Sequence, residues 1–301
     1  MQRLSIIICL GIILGACEDQ ISPTLEEVDP VLAVDAWITN QPVEQVIRLS
    51  STQPYFDTVA SPVTGATVVV SGSGGEAFTF QEDEREAGAY YWKSPVADQG
   101  FGTVGETYQL QIEANGQSYT SSTQLNPVPP IDSITYELVE ANAFFPETYI
   151  AEFWATDLPE EGNAYWIRAY RNGALLNRPD EISLAYDAGF SRGGNFNATV
   201  FAQPIRNSIN PIDGDGDGGF LPSYNPGDSV YVELQSISDE AFDFLSQVAI
   251  QTNRPGGFAE LFANPIANVS TNITNTDPNG PSVVGFFNVA SVSGLGVRID
   301  E

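Results

Sequence analysis

Histidine is absent from this 301-residue chain, lysine occurs once, at Lys93, and cysteine twice, at Cys9 and Cys17. Each shortage closes off chemistry. Without histidine there is no Ser-His-Asp or Cys-His arrangement to activate a nucleophile. A zinc site would have to be built from carboxylates alone, which is unusual. No glycine-rich loop leads into Lys-Ser or Lys-Thr, so the phosphate-cradling motif is missing as well. Lys93 sits among aromatic, strand-like residues and reads as structural. Positive charge is scarce: 11 Lys and Arg face 39 Asp and Glu, for a net charge of −28. Such a surface is repelled by nucleic-acid backbones and by anionic lipid. The acid excess serves solubility or, in a sharper reading, cation binding. Long hydrophobic runs are also lacking. The stretch from Ile6 to Leu14, interrupted by Gly11, falls short of the roughly 20 apolar residues that span a bilayer.

That short run has a role as a leader. Arg3 supplies a charged start, the apolar stretch follows, and small residues close it at Leu14-Gly15-Ala16-Cys17. Charge, apolar core and small residues make a secretory signal. Its ending at a cysteine resembles the bacterial lipobox, in which the thiol is acylated and the signal is cut just before it. On that reading residues 1–16 are removed, and Cys17 becomes a lipid-bearing N-terminus. Arg3 leaves with them, and the mature charge is one unit more negative. The plain alternative is an ordinary signal peptide with an incidental cysteine. Several acyl chains together hold a membrane stably where one does not. Cys9 leaves with the signal, so the mature protein has no thiol or disulfide to staple it.

Residues 17–30 read as a lipidated acidic tether. Glu18, Asp19, Glu26, Glu27 and Asp29 charge it, and Pro23 and Pro30 stiffen it. Extended at ~3.3 Å per residue it reaches about 40 Å. Acidic residues directly after the cysteine resemble the surface-export signal of Bacteroidota lipoproteins; a solvated linker is the alternative.

Residues 31–125 read as short strands between turns. Tyr108-Gln109-Leu110-Gln111-Ile112 alternates apolar and polar residues, as a half-buried strand must. Asn115-Gly116 then turns it into Gln117-Ser118-Tyr119-Thr120. Asn-Gly between alternating runs marks a hairpin, because both residues tolerate positive φ. This spacing of strands predicts a β-sandwich. Three prolines in residues 126–130 predict a linker. Residues 131–301 form the second predicted body, also β-rich. Tyr165 to Tyr170 is a strand with aromatics on both faces, turned back at Asn172-Gly173. One helix is predicted after Ser236 or Ser238, with Phe242, Leu245, Val248 and Ala249 on one face. Val283 to Ile299 predicts two closing strands. The fold class is therefore all-β: two sandwich bodies, the second larger and carrying one short helix.

Several stretches in order resemble a known family. They are Trp37-Ile38-Thr39-Asn40, Pro62-Val63-Thr64-Gly65-Ala66, Val104-Gly105-Glu106-Thr107-Tyr108, Val128-Pro129-Pro130-Ile131-Asp132, Asn268-Val269-Ser270-Thr271-Asn272 and Val284-Gly285-Phe286-Phe287. Together they are similar to a Bacteroidota family of outer-membrane lipoproteins with a domain of unknown function. Its members are commonly encoded beside TonB-dependent receptors. The resemblance covers nearly the whole mature chain. It implies an immunoglobulin- or transthyretin-like first body, a non-enzymatic accessory role in nutrient capture or transport, and a lipid-anchored place at the outer membrane, facing the cell surface. It carries no catalytic residues. A stand-alone surface glycan-binding protein or adhesin is the alternative, and a carboxylate-pair glycoside hydrolase a third reading.

The residues offer three candidate sites. Asp213-Gly214-Asp215-Gly216-Asp217-Gly218 matches the first half of a calcium loop, with carboxylates at alternate positions and a glycine sixth. Tyr224 stands at position twelve, where a glutamate is expected, and only Asp228 is at hand to close the shell. Ca2+ held by Asp213, Asp215 and Asp217 is weighed against an acidic surface turn. Asp157, Glu160, Glu161 and Asp187 are the carboxylates available for glycoside hydrolysis. Exposed aromatics that could stack on a ligand are sought at Tyr55-Phe56, Tyr90-Tyr91-Trp92 and, preferred, Phe144-Phe145, although most such rings belong to a core.

Overall fold

The computed structural model describes residues 29–54, 57, 59–142, 145–194, 196–263, 265 and 267–300. The leader, Cys17, the tether up to residue 28, Tyr55, Phe56 and Phe144 lie outside them.

The first core is enclosed by a ten-stranded sheet that folds over on itself. Its strands are β1 (Leu32–Thr39), β2 (Gln45–Ser51), β3 (Ser61–Pro62), β4 (Thr67–Gly72), β5 (Ala77–Glu82), β6 (Ala89–Trp92), β7 (Thr107–Ala114) and β8 (Gln117–Gln124). Two late strands complete it: β15 (Thr274–Asn275) and β16 (Val283–Ala290). The order along the path is β15-β8-β7-β4-β5-β6-β2-β1-β16, with β3 on β2. Alternation is clean where the sequence predicts it: Tyr108, Leu110, Ile112 and Ala114 of β7 point inward and their neighbours outward. Asn115 and Gly116 both adopt positive φ, 52° and 74°, in the β7–β8 turn. Tyr90, expected among the exposed rings, is fully buried; its hydroxyl donates to the Val63 carbonyl and accepts from the Ala66 N–H. Trp92 packs edge-on against Phe78 and Phe101.

The second core lies between a two-stranded ribbon and a five-stranded sheet. The ribbon is β9 (Ile131–Val139) with β10 (Thr148–Ala155). The sheet runs β12 (Ala174–Leu175), β11 (Ala164–Arg171), β14 (Ser229–Ile237), β17 (Val292–Arg298), with β13 (Ser183–Tyr186) beside β11. A one-turn helix, α1 (Gln203–Arg206), lies in the long β13–β14 connection, and α2 (Asp239–Thr252) follows β14. Ser238, not Ser236, caps α2, accepting from the Ala241 N–H at 3.1 Å. Ser236 is spent at the end of β14, where it donates to the Asn126 carbonyl.

The closing strands divide between the two sheets. β16 pairs in parallel with β1 over its full length, from Leu32↔Val283 to Thr39↔Ala290. After Ser291 the chain enters β17, antiparallel to β14. Ile273, Val283, Phe287 and Val289 thus fill the first core although they lie far beyond the proline-rich linker. That linker is tied down too: Asn126 bridges Ala290 and Val128 packs on the second core. Contacts gather Pro30–Gln53 and Asp57–Glu301 into one unit.

Candidate functional site

The two sheets meet where β16 runs into β17, and their outer faces enclose a cleft there. In β1, Leu32, Val34, Ala36 and Ile38 fill the first core. Period-two geometry sends Asp35 and Trp37 to the other face. In β11, Tyr165, Ile167 and Ala169 fill the second core, so Trp166, Arg168 and Tyr170 face outward. Trp37 meets Trp166 edge-on, with centroids 5.3 Å apart. Phe286 of β16 stacks on Trp37 at 5.7 Å, and Phe244 of α2 closes on Phe286 at 4.7 Å. The predicted apolar face of α2 is real but wider than expected, since Ala241 and Phe244 join Phe242 and Leu245 in this packing.

Packing leaves an open cleft of about 460 Å³, lined mainly by apolar atoms of Trp37, Trp166, Leu176, Ile182, Phe244, Val248 and Phe286. That volume suits a small organic ligand. Three charged residues line it: Asp35, Arg168 and Glu181. Glu181 is committed, accepting from the Arg178 backbone at 2.7 Å and its guanidinium at 3.0 Å. Arg168 is less so. Its guanidinium lies over the rings of Trp166 (4.9 Å) and Tyr170 (5.8 Å). It pairs with Glu233 at the long distance of 3.7 Å, and that carboxylate also accepts from Tyr170 and Gln235 at 3.0 Å. The Arg168 Nε is buried with no hydrogen-bond partner. Such an orphan donor costs about 1–3 kcal/mol.

Asp35 is the opposite case. It is exposed to solvent. Nearby protein nonetheless desolvates it enough to raise its pKa above the ordinary carboxylate value; Arg48 and Arg168 pull it partly back. Arg48 forms its direct ion pair elsewhere, with Glu86 at 2.7 Å. Among the described residues no hydrogen bond or ion pair engages the Asp35 carboxylate. Gly285 shapes this part of the wall. Its φ is +100°, and a Cβ there would stand 1.9 Å from the Val34 carbonyl oxygen, so only glycine lets β16 lie this close to β1. A depression of about 530 Å³ beyond the C-terminal end of α2, around Ile250 and Phe262, is shallower and has no carboxylate in its lining among the described residues.

The sites expected from sequence are arranged otherwise. The three calcium-loop carboxylates do not converge. Asp213 is held by Arg171 at 3.1 Å and by Arg178. Asp215 turns back to accept from the backbone N–H groups of Asp217 and Gly219, which lowers its pKa. Asp217 points to solvent. Tyr224 is buried, its hydroxyl donating to the Ile209 carbonyl, and Asp228 caps the Asn225 turn. Among the described residues no three such side chains gather as a metal-binding set. The spacing of acids resembles a ligand loop, but arginines distant in sequence claim the first of them.

Of the four hydrolytic candidates, Asp157 and Asp187 are neighbours and both buried, while Glu160 and Glu161 are exposed. The Tyr165 hydroxyl donates to Asp157 at 2.6 Å. Asp187 Oδ1 accepts from the N–H groups of Gly162 and Asn163 at 2.9 Å. These carboxylates hold a turn together from inside rather than flank an open cleft. Phe145 is exposed as expected and stacks on Phe220 at 4.6 Å, joining its loop to the Asp213–Gly218 loop. Asp35, Trp37, Trp166 and Arg168 carry no motif. The available signal is the placement of a charge and an indole on the non-core positions of two strands.

By architecture this is an all-β protein with an aromatic cleft where its two larger sheets meet. A model of the family described as "Domain of unknown function (DUF4249)" matches residues 18–294, and the chain belongs to that family. No curated protein matches it.

Proposed function

We propose that this chain is a non-catalytic binding protein, held at the outer membrane by lipid on Cys17 and accessory to a TonB-dependent receptor, and that it holds a small ligand in the junction cleft. The observation that carries the reading is the cleft itself: an apolar, aromatic-walled hollow lined at one end by the Asp35 carboxylate and by Arg168, whose Nε is buried without a hydrogen-bond partner. The anchor rests on Leu14-Gly15-Ala16-Cys17, after which the family match begins. Among the described residues no helix is long and apolar enough to cross a membrane. The absence of histidine and the single lysine remove the commonest general bases and nucleophiles.

Two measurements test it. Cys17→Ser should move the protein from the membrane fraction to the soluble one and abolish fatty-acid labelling; unchanged labelling refutes the anchor. A detergent pull-down from native membranes should recover a β-barrel receptor with the wild type. The exposed Phe145–Phe220 stack favours a second reading, a surface glycan-binding protein. Binding on a carbohydrate array that is lost in Phe145→Ala, with no receptor recovered, would select it.

A further inference from the structure

The cleft has two rungs. Trp37 and Trp166 make one, in ring contact at 5.3 Å. The other lies two residues along each strand on the same faces, about 6–7 Å away, and consists of Asp35 and Arg168. A carboxylate and a guanidinium thus both line one apolar hollow. They sense each other's charge, yet among the described residues they form no ion pair. Arg168 reaches Glu233 only at 3.7 Å and leaves its Nε buried without a hydrogen-bond partner among the described residues. A buried donor without a partner is costly, and Asp35, exposed at the same cleft, has no ion pair among the described residues. A ligand that offers both signs at once resolves both.

We propose, building on the cleft as the ligand site, that it binds a free α-amino acid with an apolar or aromatic side chain. The carboxylate of the ligand accepts from Arg168, its ammonium donates to Asp35, and its side chain lies among Trp37, Trp166, Phe244 and Val248. Each charge of the ligand then meets its opposite. A fatty acid would satisfy Arg168 but set a second anion beside Asp35. An apolar amine would do the reverse beside Arg168. Charge complementarity thus favours the zwitterion over either. A longer peptide is disfavoured, because it separates the two termini that the site holds together.

The test is isothermal titration of the full-length protein in detergent with L-tryptophan, tryptamine, indole-3-propionate and indole. Tryptophan should bind at least 10-fold more tightly than the three analogues, each of which lacks one charge or both. Arg168→Gln should weaken tryptophan at least 10-fold while leaving tryptamine within 3-fold, and Asp35→Asn should weaken tryptophan while leaving indole-3-propionate within 3-fold. The ligand series on wild-type protein stands even where a variant fails to fold, which melting curves reveal. If all four bind wild type equally, recognition of the zwitterion is wrong and the cleft remains an apolar site. If indole and the singly charged analogues bind and tryptophan does not, the proposal is likewise overturned. If none binds, both this assignment and the cleft as ligand site fail.

Discussion

Asp157 is a carboxylate kept almost wholly from water. Burial raises its pKa to about 6; the Tyr165 hydroxyl opposes the shift, and Asp187 and Glu160 add to it. Its Oδ2 has no partner, as befits a group that the fold prefers protonated. The folded value lies above the ordinary 3.8. The stabilisation is therefore complete below about pH 4 and is lost as pH rises through 6. Asp157→Asn keeps an acceptor for Tyr165 and has nothing to ionise. The variant should melt higher than wild type at pH 7.5, by the equivalent of about 1–3 kcal/mol, and the gap should close at pH 4. Melting curves from pH 4 to 8 check this; parallel curves would show that Asp157 ionises at its ordinary value. The same residue shows what spacing hides. Asp157 and Asp187 stand out in the sequence as acids for chemistry, and they do come together, but Tyr165 and the Gly162 and Asn163 backbone turn them inward.

Glycine separates strain from collision among the strands and turns. Gly65 has φ +70° with open space around it, whereas Gly285 combines φ +100° with a Cβ position against the Val34 carbonyl. Gly65→Ala should cost about 1 kcal/mol in urea unfolding. Gly285→Ala adds a backbone clash that separates β16 from β1, and should cost more than about 3 kcal/mol. Similar losses in the two variants would mean that β16 lies less tightly on β1 than described. Local structure was the legible part of this fold. The Asn-Gly hairpins, the alternating β7 and the capped α2 are written in neighbouring residues, where periodicity and positive φ act. Partner choice was not. The pattern of Val283–Ala290 says strand, but nothing within it names β1 as neighbour, because any half-buried strand presents the same face and the same hydrogen-bond ladder. The cleft was hidden for that reason: Trp37 and Trp166 come from opposite halves of the chain.

For the molecule as a whole, residues 126–130 mark the chain's passage between cores but not the end of the first one. A fragment spanning residues 30–130 lacks β16, and with it Val283, Phe287 and Val289 from the first core and one whole side of β1. It should show no cooperative thermal transition and should aggregate through the bare strand, whereas the chain from residue 30 to 301 should melt in one sharp step. A cooperative melt of the short fragment by calorimetry would make the first body independent. The pairing of β1 with β16 also sets a timetable. The strand at residues 32–39 waits for its second neighbour until residues 283–290 have been made, and closing so distant a contact is slow. The first core accordingly stays open, and that part of the polypeptide threadable, until the late strand has come through.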